Sequence, residues 1–427
     1  MKVLFCAYDR PGHVASGPNA WIQRLIPDLR GKYNLDVNPL FIYGGKREEC
    51  PTIRYFDEQN LFIHEINRDE WPYIKDQVRL ILKIIKKYGY TILVANLVIP
   101  AFYAAKYLKP FNIPVIGVLH SSDQFYRDVI DKFITGKSRM QISSVVCVSQ
   151  YIADLIHDSG NTIKKHIIPC GTPQSGIKAK RPHGKLQIIY AGRLVNEAKQ
   201  ITELAKSFCK AAEKNKSLDF SIYGDGDQYD DVERIINSYG VGERVKLFHS
   251  LPPSEIIIKL AEHHVFTLMS DYEGMPVALM EAMACGLVPV CMVKEGGINE
   301  IINHGVNGFV IHDRDKGFQE KLNLLASNPE IWESLSKMAF NTISERFSTE
   351  VTNNEWADLF LINEKPVRRK MWIPISIKLE GELLFYGDKR KPSLKNRFDK
   401  TIRDYWLKIR MFIRPRTRLR TIISKWK

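Results

Sequence analysis

Two glutamates lie eight positions apart in and beside a long apolar stretch of the chain. Between Met275 and Val293 the only charged side chain is Glu281, and Glu273 stands just before this stretch. Burying an unpaired carboxylate is energetically costly, so a chain seldom keeps one in such surroundings without a use. Glu273 and Glu281 are therefore the first candidates for binding a polar ligand.

The pattern around these glutamates predicts a strand, a loop, a helix and a second strand. In chain order these are Val265 to Met269, Ser270 to Gly274, Pro276 to Cys285 and Leu287 to Val293. Such a unit is a right-handed parallel crossover in nearly all known cases. Glu273 then lies beyond the carboxyl end of a strand, on the side of an open parallel sheet where ligands bind.

The start of the predicted helix is a candidate phosphate site. Free N–H groups and the helix dipole both favour an anion at this position. Pro276 has no N–H, so its neighbours must donate. We expect donation from Met275, Val277 and Ala278. Gly274 lies directly before them and is included in the candidate site.

Two cations follow another apolar strand, Leu186 to Tyr190. Arg193 comes shortly after this strand, and Lys199 stands six residues beyond Arg193. Arginine binds a phosphate as a two-pronged fork, and lysine acts as a point charge. We expect the pair to grip a diphosphate. The alternative is two unrelated surface cations at the start of a helix.

The run EGMPVALMEAMACGLVPV, which begins at Glu273, resembles the signature of the family 4 retaining glycosyltransferases of the GT-B fold. The resemblance implies a nucleotide-diphosphate sugar as donor, with Glu281 holding the ribose hydroxyls and Glu273 contacting the transferred sugar. Arg193 and Lys199 resemble the family's phosphate pair, although Gln200 replaces the glycine often found after that lysine. Taken alone, the run is also compatible with an ordinary buried helix that has one stabilising carboxylate.

The resemblance extends to two loops in the first half of the chain. His120 follows the predicted strand Val115 to Leu119 and resembles the family's histidine loop, which implies a hydrogen bond to the sugar or to the leaving diphosphate. Gly17 follows the strand Lys2 to Tyr8, where the family usually has paired glycines and the backbone can approach a diphosphate or an acceptor. The respective alternatives are a loop histidine with a structural partner and a plain turn.

Alternating strand and helix patterns predict an α/β protein, and the resemblance implies the GT-B arrangement of two Rossmann-like domains facing across a cleft. The expected parts are an acceptor-side domain (1–172), a linker (173–185), a nucleotide-sugar-binding domain (186–345), a helix that crosses back to the first domain (346–364) and a basic C-terminal appendage (365–427). The appendage lies outside the resemblance.

Composition limits the class of protein. The chain has 427 residues, of which 44% are hydrophobic and 26% charged, as in ordinary globular proteins. Its seven cysteines include no C-x-x-C pair, which argues against a disulfide framework or a zinc site and favours the cytoplasm. No uncharged apolar stretch reaches the roughly 20 residues that span a bilayer.

The net charge of +14 belongs to the appendage. From Lys365 onward, 20 Lys and Arg face 5 Asp and Glu, which gives +15, whereas residues 1–364 hold 42 basic and 43 acidic groups, which gives −1. Trp372 to Tyr386 alternates and breaks at Gly381, which indicates a small hairpin. Leu394 to Ile413 has the pattern of a basic amphipathic helix.

We expect residues 394–427 to bind an anionic membrane surface and to hold the protein on the inner face of the cell membrane, near a membrane-borne acceptor. One alternative is that the apolar stripe packs on the protein itself. Another is a nucleic-acid-binding role for the basic tail. Against that role, the aromatic residues of the tail lie on one apolar face instead of forming a stacking platform.

Together these features predict a retaining, metal-independent transferase that moves a hexose-type sugar from a nucleotide-diphosphate sugar to a glycan or lipid-linked acceptor, in polysaccharide or glycolipid synthesis. No cofactor is expected besides the donor substrate. No metal site is expected either, because Asp225 and Asp227 flank a glycine in a turn without further oxygen ligands nearby in sequence. A nucleotide-sugar epimerase of the same fold is the alternative enzyme.

Overall fold

The computed structural model describes residues 1–12, 17–137, 139–157, 163–367, 371–381 and 383–384. The first domain contains the strands β1 (Lys2–Tyr8), β2 (Asp36–Tyr43), β3 (His64–Asn67), β4 (Ile92–Asn96), β5 (Val115–Leu119), β6 (Ser144–Cys147) and β7 (Lys164–Ile167). They form one parallel sheet in the order β3-β2-β1-β4-β5-β6-β7. The central strands β4 and β5 are buried along their whole length, because helices cover both faces of the sheet.

The helices of this domain connect the strands in chain order. They are α1 (Gly17–Gly31), α2 (Pro51–Glu58), α3 (Ile74–Tyr88), α4 (Ile99–Leu108), α5 (Gln124–Val129) and α6 (Gln150–Asp154). Short 3-10 turns lie at Arg47–Glu49 and Lys109–Phe111, and one π-helical turn, Ile130–Ile134, continues α5. The buried carboxylate of Asp9 follows β1 and accepts the Thr52 and Ile53 N–H groups at the start of α2, each at 2.9 Å.

The second domain repeats the design with six parallel strands. They are β8 (Leu186–Ala191), β9 (Leu218–Tyr223), β10 (Val245–Phe248), β11 (Val265–Glu273), β12 (Val288–Gly296) and β13 (Phe309–Val310), in the order β10-β9-β8-β11-β12-β13. Its helices are α7 (Ile201–Lys214), α8 (Tyr229–Tyr239), α9 (Pro253–Ala261), α10 (Val277–Ala284), α11 (Ile298–Ile301), α12 (Lys316–Ser327) and α13 (Pro329–Arg346). The predicted architecture of two Rossmann-like domains is confirmed.

The last helix, α14 (Thr349–Asn363), lies against α1 of the first domain. Its Trp356 ring packs against Trp21 and Phe5, with centroids 5.6 and 5.9 Å apart. Thr172, just before the linker, donates its backbone N–H to the Phe347 carbonyl and accepts the N–H of Thr349, the first residue of this helix. The chain therefore crosses twice between the domains, and both crossings lie next to α1.

Strand β11 is longer than its sequence pattern predicts. The predicted loop from Ser270 to Gly274 is wrong, because the strand runs to Glu273 and pairs there with Gly296 of β12. Pro276 has an extended backbone (ψ 103°) and stands outside the helix, so α10 begins at Val277 instead. Glu273 is the last residue of its strand and keeps its place at the carboxyl edge of the sheet.

Residues 371–381 and 383–384, called the strap below, lie along the first domain. The Tyr107 hydroxyl of α4 makes two hydrogen bonds to the backbone of Lys378. It donates to the carbonyl (2.9 Å) and accepts the N–H (2.7 Å). The Tyr103 hydroxyl donates to the Gly381 carbonyl (2.6 Å) and accepts the Leu383 N–H (2.9 Å).

The hairpin predicted from Trp372 to Tyr386 is therefore wrong for the strap, whose described residues contain no strand. Side chains of the first domain, instead of a second strand, bind the backbone of Ile375, Lys378, Gly381 and Leu383. Met371 and Ile377 are buried in this contact. The amphipathic helix predicted for 394–413 lies outside the described residues, and among the described helices none is both long and apolar enough to cross a bilayer.

Candidate functional site

The carboxyl ends of the two sheets face each other, and the predicted site residues meet there. Gly274 of the second domain lies against the backbone of His120 in the first, since a Cβ on Gly274 would stand 1.8 Å from the His120 carbonyl oxygen. Gly17 begins α1, and a Cβ added to it would lie 4.0 Å from the Val277 side chain at the start of α10. These contacts bring the glycine and histidine loops of the first domain to the helix start of the second.

Glu273 is held by two donors at the end of β11. Lys199 Nζ lies 2.5 Å from its Oε1, and Ser270 Oγ donates to the same oxygen at 2.7 Å. The side chains of Glu273 and Lys199 are only 11% and 18% exposed. Sequence reasoning placed Lys199 on a diphosphate and did not foresee this ion pair or the role of Ser270. An ammonium group has three N–H donors, so Lys199 can hold Glu273 and still bind a phosphate oxygen.

Arg193 is exposed at the carboxyl end of β8. Its carbonyl accepts the Tyr190 hydroxyl at 2.8 Å, which anchors the backbone of the loop. Burial raises the pKa of Tyr190, so the phenol stays neutral and acts as a donor. Within the part of the chain that the structure describes, the Arg193 guanidinium has no ion-pair partner. It is available for an anionic ligand.

Gln200 shows how the loop after Lys199 keeps its shape without the glycine common in similar sequences. Its backbone is left-handed, with φ 51° and ψ 44°, a conformation that favours glycine. The Gln200 side chain donates to Asp271 Oδ2 at 2.5 Å, and Lys294 pairs with the other oxygen of Asp271 at 2.6 Å. The bond from Gln200 fastens this left-handed residue to Asp271, near the carboxyl end of β11.

Glu281 lies on α10 and is not the unpaired carboxylate that the sequence suggests. Arg24 of α1 donates from Nη1 to Glu281 Oε1 at 2.9 Å, so the ion pair joins the two domains. A second, longer bond runs from Arg24 Nη2 to the Gly171 carbonyl at 3.4 Å. Sequence reasoning missed Arg24. The available signal was weak, because it is one charged residue between the buried Trp21 and Leu25 on an amphipathic helix.

His120 has both ring nitrogens engaged within the first domain. Nε2 lies 2.6 Å from Asn96 Oδ1, and Nδ1 lies 3.8 Å from Cys170 Sγ. Burial lowers the pKa of His120 to about 4, so the imidazole is neutral at pH 7. With an amide oxygen as its partner, Nε2 carries the proton. The expected donation from His120 to a sugar therefore stays a prediction that requires exchange of the Asn96 bond.

The Asp225 carboxylate has a structural role next to β10. It accepts the Ser250 N–H at 3.0 Å and lies 2.6 Å from His249 Nδ1. Bonds from Ser250 and then His249 lower the pKa of Asp225 despite partial desolvation. Across the described ranges, no three His, Cys, Asp or Glu side chains come close enough to hold a metal ion. Metal independence and the lack of a further cofactor stay predictions.

Comparison with protein families finds two matching domain models. Residues 43–174 match "Glycosyltransferase Family 4", and residues 174–342 match "Glycosyl transferases group 1". Together the two matches span residues 43–342, which include His120 of the first domain and Glu273 and Glu281 of the second.

Curated relatives match over shorter segments. The amylovoran biosynthesis glycosyltransferase AmsK of Erwinia amylovora is 34% identical over 140 residues, 31% of this chain and 34% of the relative. The GPI3 subunit of a yeast phosphatidylinositol N-acetylglucosaminyltransferase (Saccharomyces cerevisiae) is 24% identical over 217 residues, 46% of this chain and 47% of the relative. The chain thus spans less than half of the length of these two relatives.

Solved structures share the fold over most of the chain. Anabaena Alr3699/HepE in complex with UDP has a TM-score of 0.68 and 16% identity, covering 85% of this chain and 100% of the other. The pneumococcal O-GlcNAc transferase GtfA in complex with UDP and GlcNAc has a TM-score of 0.67 and 14% identity, covering 85% and 99%. Taken with the two domain matches, this architecture places the chain among the glycosyltransferases of the GT-B fold.

Proposed function

We propose that this protein is a retaining glycosyltransferase that moves a hexose-type sugar from a nucleotide-diphosphate sugar to a glycan or lipid-linked acceptor. The observation that carries the proposal is the pairing of charges in the cleft. Glu273 and Glu281 are each held by one cation, while the exposed Arg193 has no ion-pair partner among the described residues. Such a site has carboxylates for sugar hydroxyls and a spare positive charge for a phosphate.

The donor's diphosphate is assigned to Arg193, Lys199 and the N–H groups around Met275 and Val277. As the sugar leaves, negative charge grows on the diphosphate, and preorganised donors stabilise that charge without rearranging. Gly274 lets the turn before α10 lie directly against the first domain, because a Cβ there would stand 1.8 Å from the His120 carbonyl oxygen. The ribose is assigned to Glu281 of α10, the helix that begins at Val277. UDP is bound in several solved structures of similar fold, which supports a nucleotide ligand.

The transferred sugar is assigned to Glu273. Its carboxylate is fixed by Lys199 and Ser270 at the strand end, so it can orient sugar hydroxyls and stabilise the positive charge that develops at the anomeric carbon. Neutral His120 lies across the cleft with its carbonyl against Gly274. The names of the curated relatives, which include an amylovoran and a phosphatidylinositol glycosyltransferase, support a glycan or lipid-linked acceptor.

The test is turnover of a panel of UDP-, GDP- and ADP-sugars by the purified chain, with the product anomer determined by NMR. We expect Glu273→Gln and Arg193→Ala to lose about 100-fold or more in rate while remaining folded. Lys210→Ala is the matched control, because Lys210 pairs with Asp315 on the exposed surface of α7. Near-normal rates in both site variants, or an inverted anomer, would contradict the proposal.

Two further measurements separate related activities. A chelator should leave the rate unchanged if transfer needs no divalent ion; loss of transfer that manganese restores would refute metal independence. Incubation with donor alone should give slow hydrolysis. Conversion of the donor sugar into its epimer would instead identify an epimerase.

For the basic tail we propose binding to an anionic membrane on its cytoplasmic face. The strap leads the chain along α4 of the first domain, the expected acceptor side, before the tail begins. Lys106 and Arg139 of that domain both pair with Glu380 of the strap. These two ion pairs fix the strap to the first domain ahead of the segment 394–427. Each basic residue near an anionic surface contributes about 1 kcal/mol, so the tail's charge is sufficient for reversible binding.

The sharpest variant ends after Leu384, which keeps the strap and removes residues 385–427, including the proposed membrane-binding segment 394–427. We expect it to stop sedimenting with phosphatidylserine-containing vesicles while it retains donor hydrolysis. A second variant replaces the six Lys and Arg of 395–410 by glutamine and keeps the apolar face. Binding of the shortened chain to the anionic vesicles would show that the tail is not the anchor. The tail is not an electrostatic anchor either if both variants bind neutral vesicles as strongly as the intact protein binds anionic ones.

A further inference from the structure

The ion pair between Arg24 and Glu281 has an unusual position. Arg24 belongs to the first domain and Glu281 to the second, whereas the other cleft pair, Lys199 and Glu273, lies wholly in the second domain. Both partners are largely buried, with side-chain exposures of 19% and 16%. The bond from Arg24 to the Gly171 carbonyl ties the guanidinium to the end of the first domain.

Only one oxygen of the Glu281 carboxylate is used. Arg24 Nη1 contacts Oε1, and Oε2 has no hydrogen-bond partner among the residues described. A carboxylate oxygen accepts hydroxyl donors strongly, and an arginine on the neighbouring oxygen fixes its direction. The positive guanidinium would also offset the repulsion between Glu281 and the diphosphate proposed for this cleft. The pair therefore holds Glu281 in a form that can accept a hydroxyl group.

A structural explanation alone does not account for this pair. Buried ion pairs contribute little net stability compared with apolar side chains of the same volume. The domains are also joined by a separate contact, since Glu300 accepts the N–H groups of Gln150 and Tyr151 at 2.9 Å each. A second polar contact thus joins the domains, so the Arg24–Glu281 pair is not needed for that purpose alone.

We propose that Arg24 is a cross-domain positioning residue for the ribose of the donor. It holds Glu281 through Oε1 so that Oε2 accepts a ribose hydroxyl, and it does so only when the two domains are closed. Weaker domain closure should then lower the affinity for the ribo and 2′-deoxy forms of a nucleotide alike, whereas loss of the Arg24–Glu281 pair should affect only the form that has the hydroxyl. This inference rests on the proposed function, which assigns the ribose to Glu281.

The experiment measures the preference of the full chain for a ribonucleotide. Dissociation constants are determined by calorimetry for UDP, ADP and GDP and for their 2′-deoxy counterparts. For the nucleotide that binds, the intact protein should prefer the ribo form about tenfold or more, the effect of one hydrogen bond to a charged group. Arg24→Ala should reduce the preference to about twofold or less, and Arg24→Lys should restore part of it.

The matched control is Glu300→Gln, which weakens a cross-domain contact that does not involve Glu281. It should change the affinity for both forms of the nucleotide by the same factor and leave their ratio intact. Because Arg24→Ala leaves a buried carboxylate without its cation, the double variant Arg24→Ala/Glu281→Gln is measured as well. It should show the same low preference as either single variant, since both act on one hydrogen bond.

The outcomes separate the inference from the proposed function. If no nucleotide binds, or if Glu281→Gln keeps the full preference for the ribo form, the proposed ribose site is wrong and the inference falls with it. If Glu281→Gln loses the preference and a folded Arg24→Ala keeps it, only the role of Arg24 is refuted. An equal loss of ratio in Glu300→Gln would also refute it, because closure in general would then be the cause.

Discussion

At the scale of single residues, the proposed site gives the Lys199 ammonium two anionic partners. It lies 2.5 Å from Glu273 Oε1 in the structure and is assigned to the diphosphate of the donor. We predict that Lys199→Met lowers the rate of donor turnover by about 100-fold, because both the sugar-binding carboxylate and the leaving group lose their cation. Lys199→Arg should recover part of the rate. The measurement is single-turnover kinetics at saturating donor.

The outcome that contradicts this prediction is a rate within about threefold of the intact protein for a folded Lys199→Met variant, a loss far smaller than removal of one transition-state donor produces. Lys210→Met serves as the control. Lys210 lies on α7, the helix that begins shortly after Lys199. Its ammonium pairs with Asp315 on the exposed surface.

At the scale of elements, the turn between β11 and α10 touches the loop after β5. A Cβ at Gly274 would lie 1.8 Å from the His120 carbonyl oxygen, which is a backbone atom and cannot turn away as a side chain can. We predict that Gly274→Ala forces the domains apart and abolishes donor turnover, while each domain keeps its own core. Small-angle scattering should show a larger radius of gyration, and far-ultraviolet circular dichroism should be unchanged.

Gly242→Ala is the control for this variant. Gly242 lies in the second domain, where a Cβ would meet only open space and the backbone is not left-handed, so alanine should be neutral there. Unchanged scattering together with normal turnover in Gly274→Ala would show that the domains do not close on this contact during the reaction.

At the scale of the whole molecule, three partly or fully buried histidines make stability depend on pH. Burial lowers the pKa of His64, His120 and His264 from 6.5 to about 4 in each case. Since the folded-state pKa lies below the unfolded one, protons bind the unfolded chain first. The stability that the neutral rings support is complete above pH 7 and is lost as the pH falls from 6.5 towards 4.

At pH 5.5 the expected loss from these three rings is about 1.4 kcal/mol each, or on the order of 4 kcal/mol together, relative to pH 7.5. Burial also lowers the pKa of His166 and His263, which adds to the loss in the same direction. Urea unfolding at the two pH values measures it. His264→Asn keeps an acceptor for the Gln187 N–H, which lies 2.9 Å from Nδ1, and should reduce the loss by about a third. Equal stability at both pH values would show that these rings are protonated without cost in the folded protein.

Much of the fold follows from local patterns. The buried runs of β4 and β5 and the amphipathic pattern of α3 predict parallel strands with crossover helices, because side-chain periodicity directly reflects which faces are covered. Placing Glu273 at a strand end needed only the chain order of strand, helix and strand. The same reasoning could not give the length of β11, since its last residues are strand only through pairing with β12.

The partners of the charged groups were decided by the tertiary structure. Arg24 and Glu281 are 257 positions apart, and no local pattern connects a residue on α1 with one on α10. The strap is a similar case, because Tyr103 and Tyr107 of α4 bind the backbone of its residues Lys378, Gly381 and Leu383. The sequence by itself determined which residues are buried and which strands end at the cleft. Which surfaces meet across that cleft depends on the packing of whole domains, and periodicity along one segment contains no information about it.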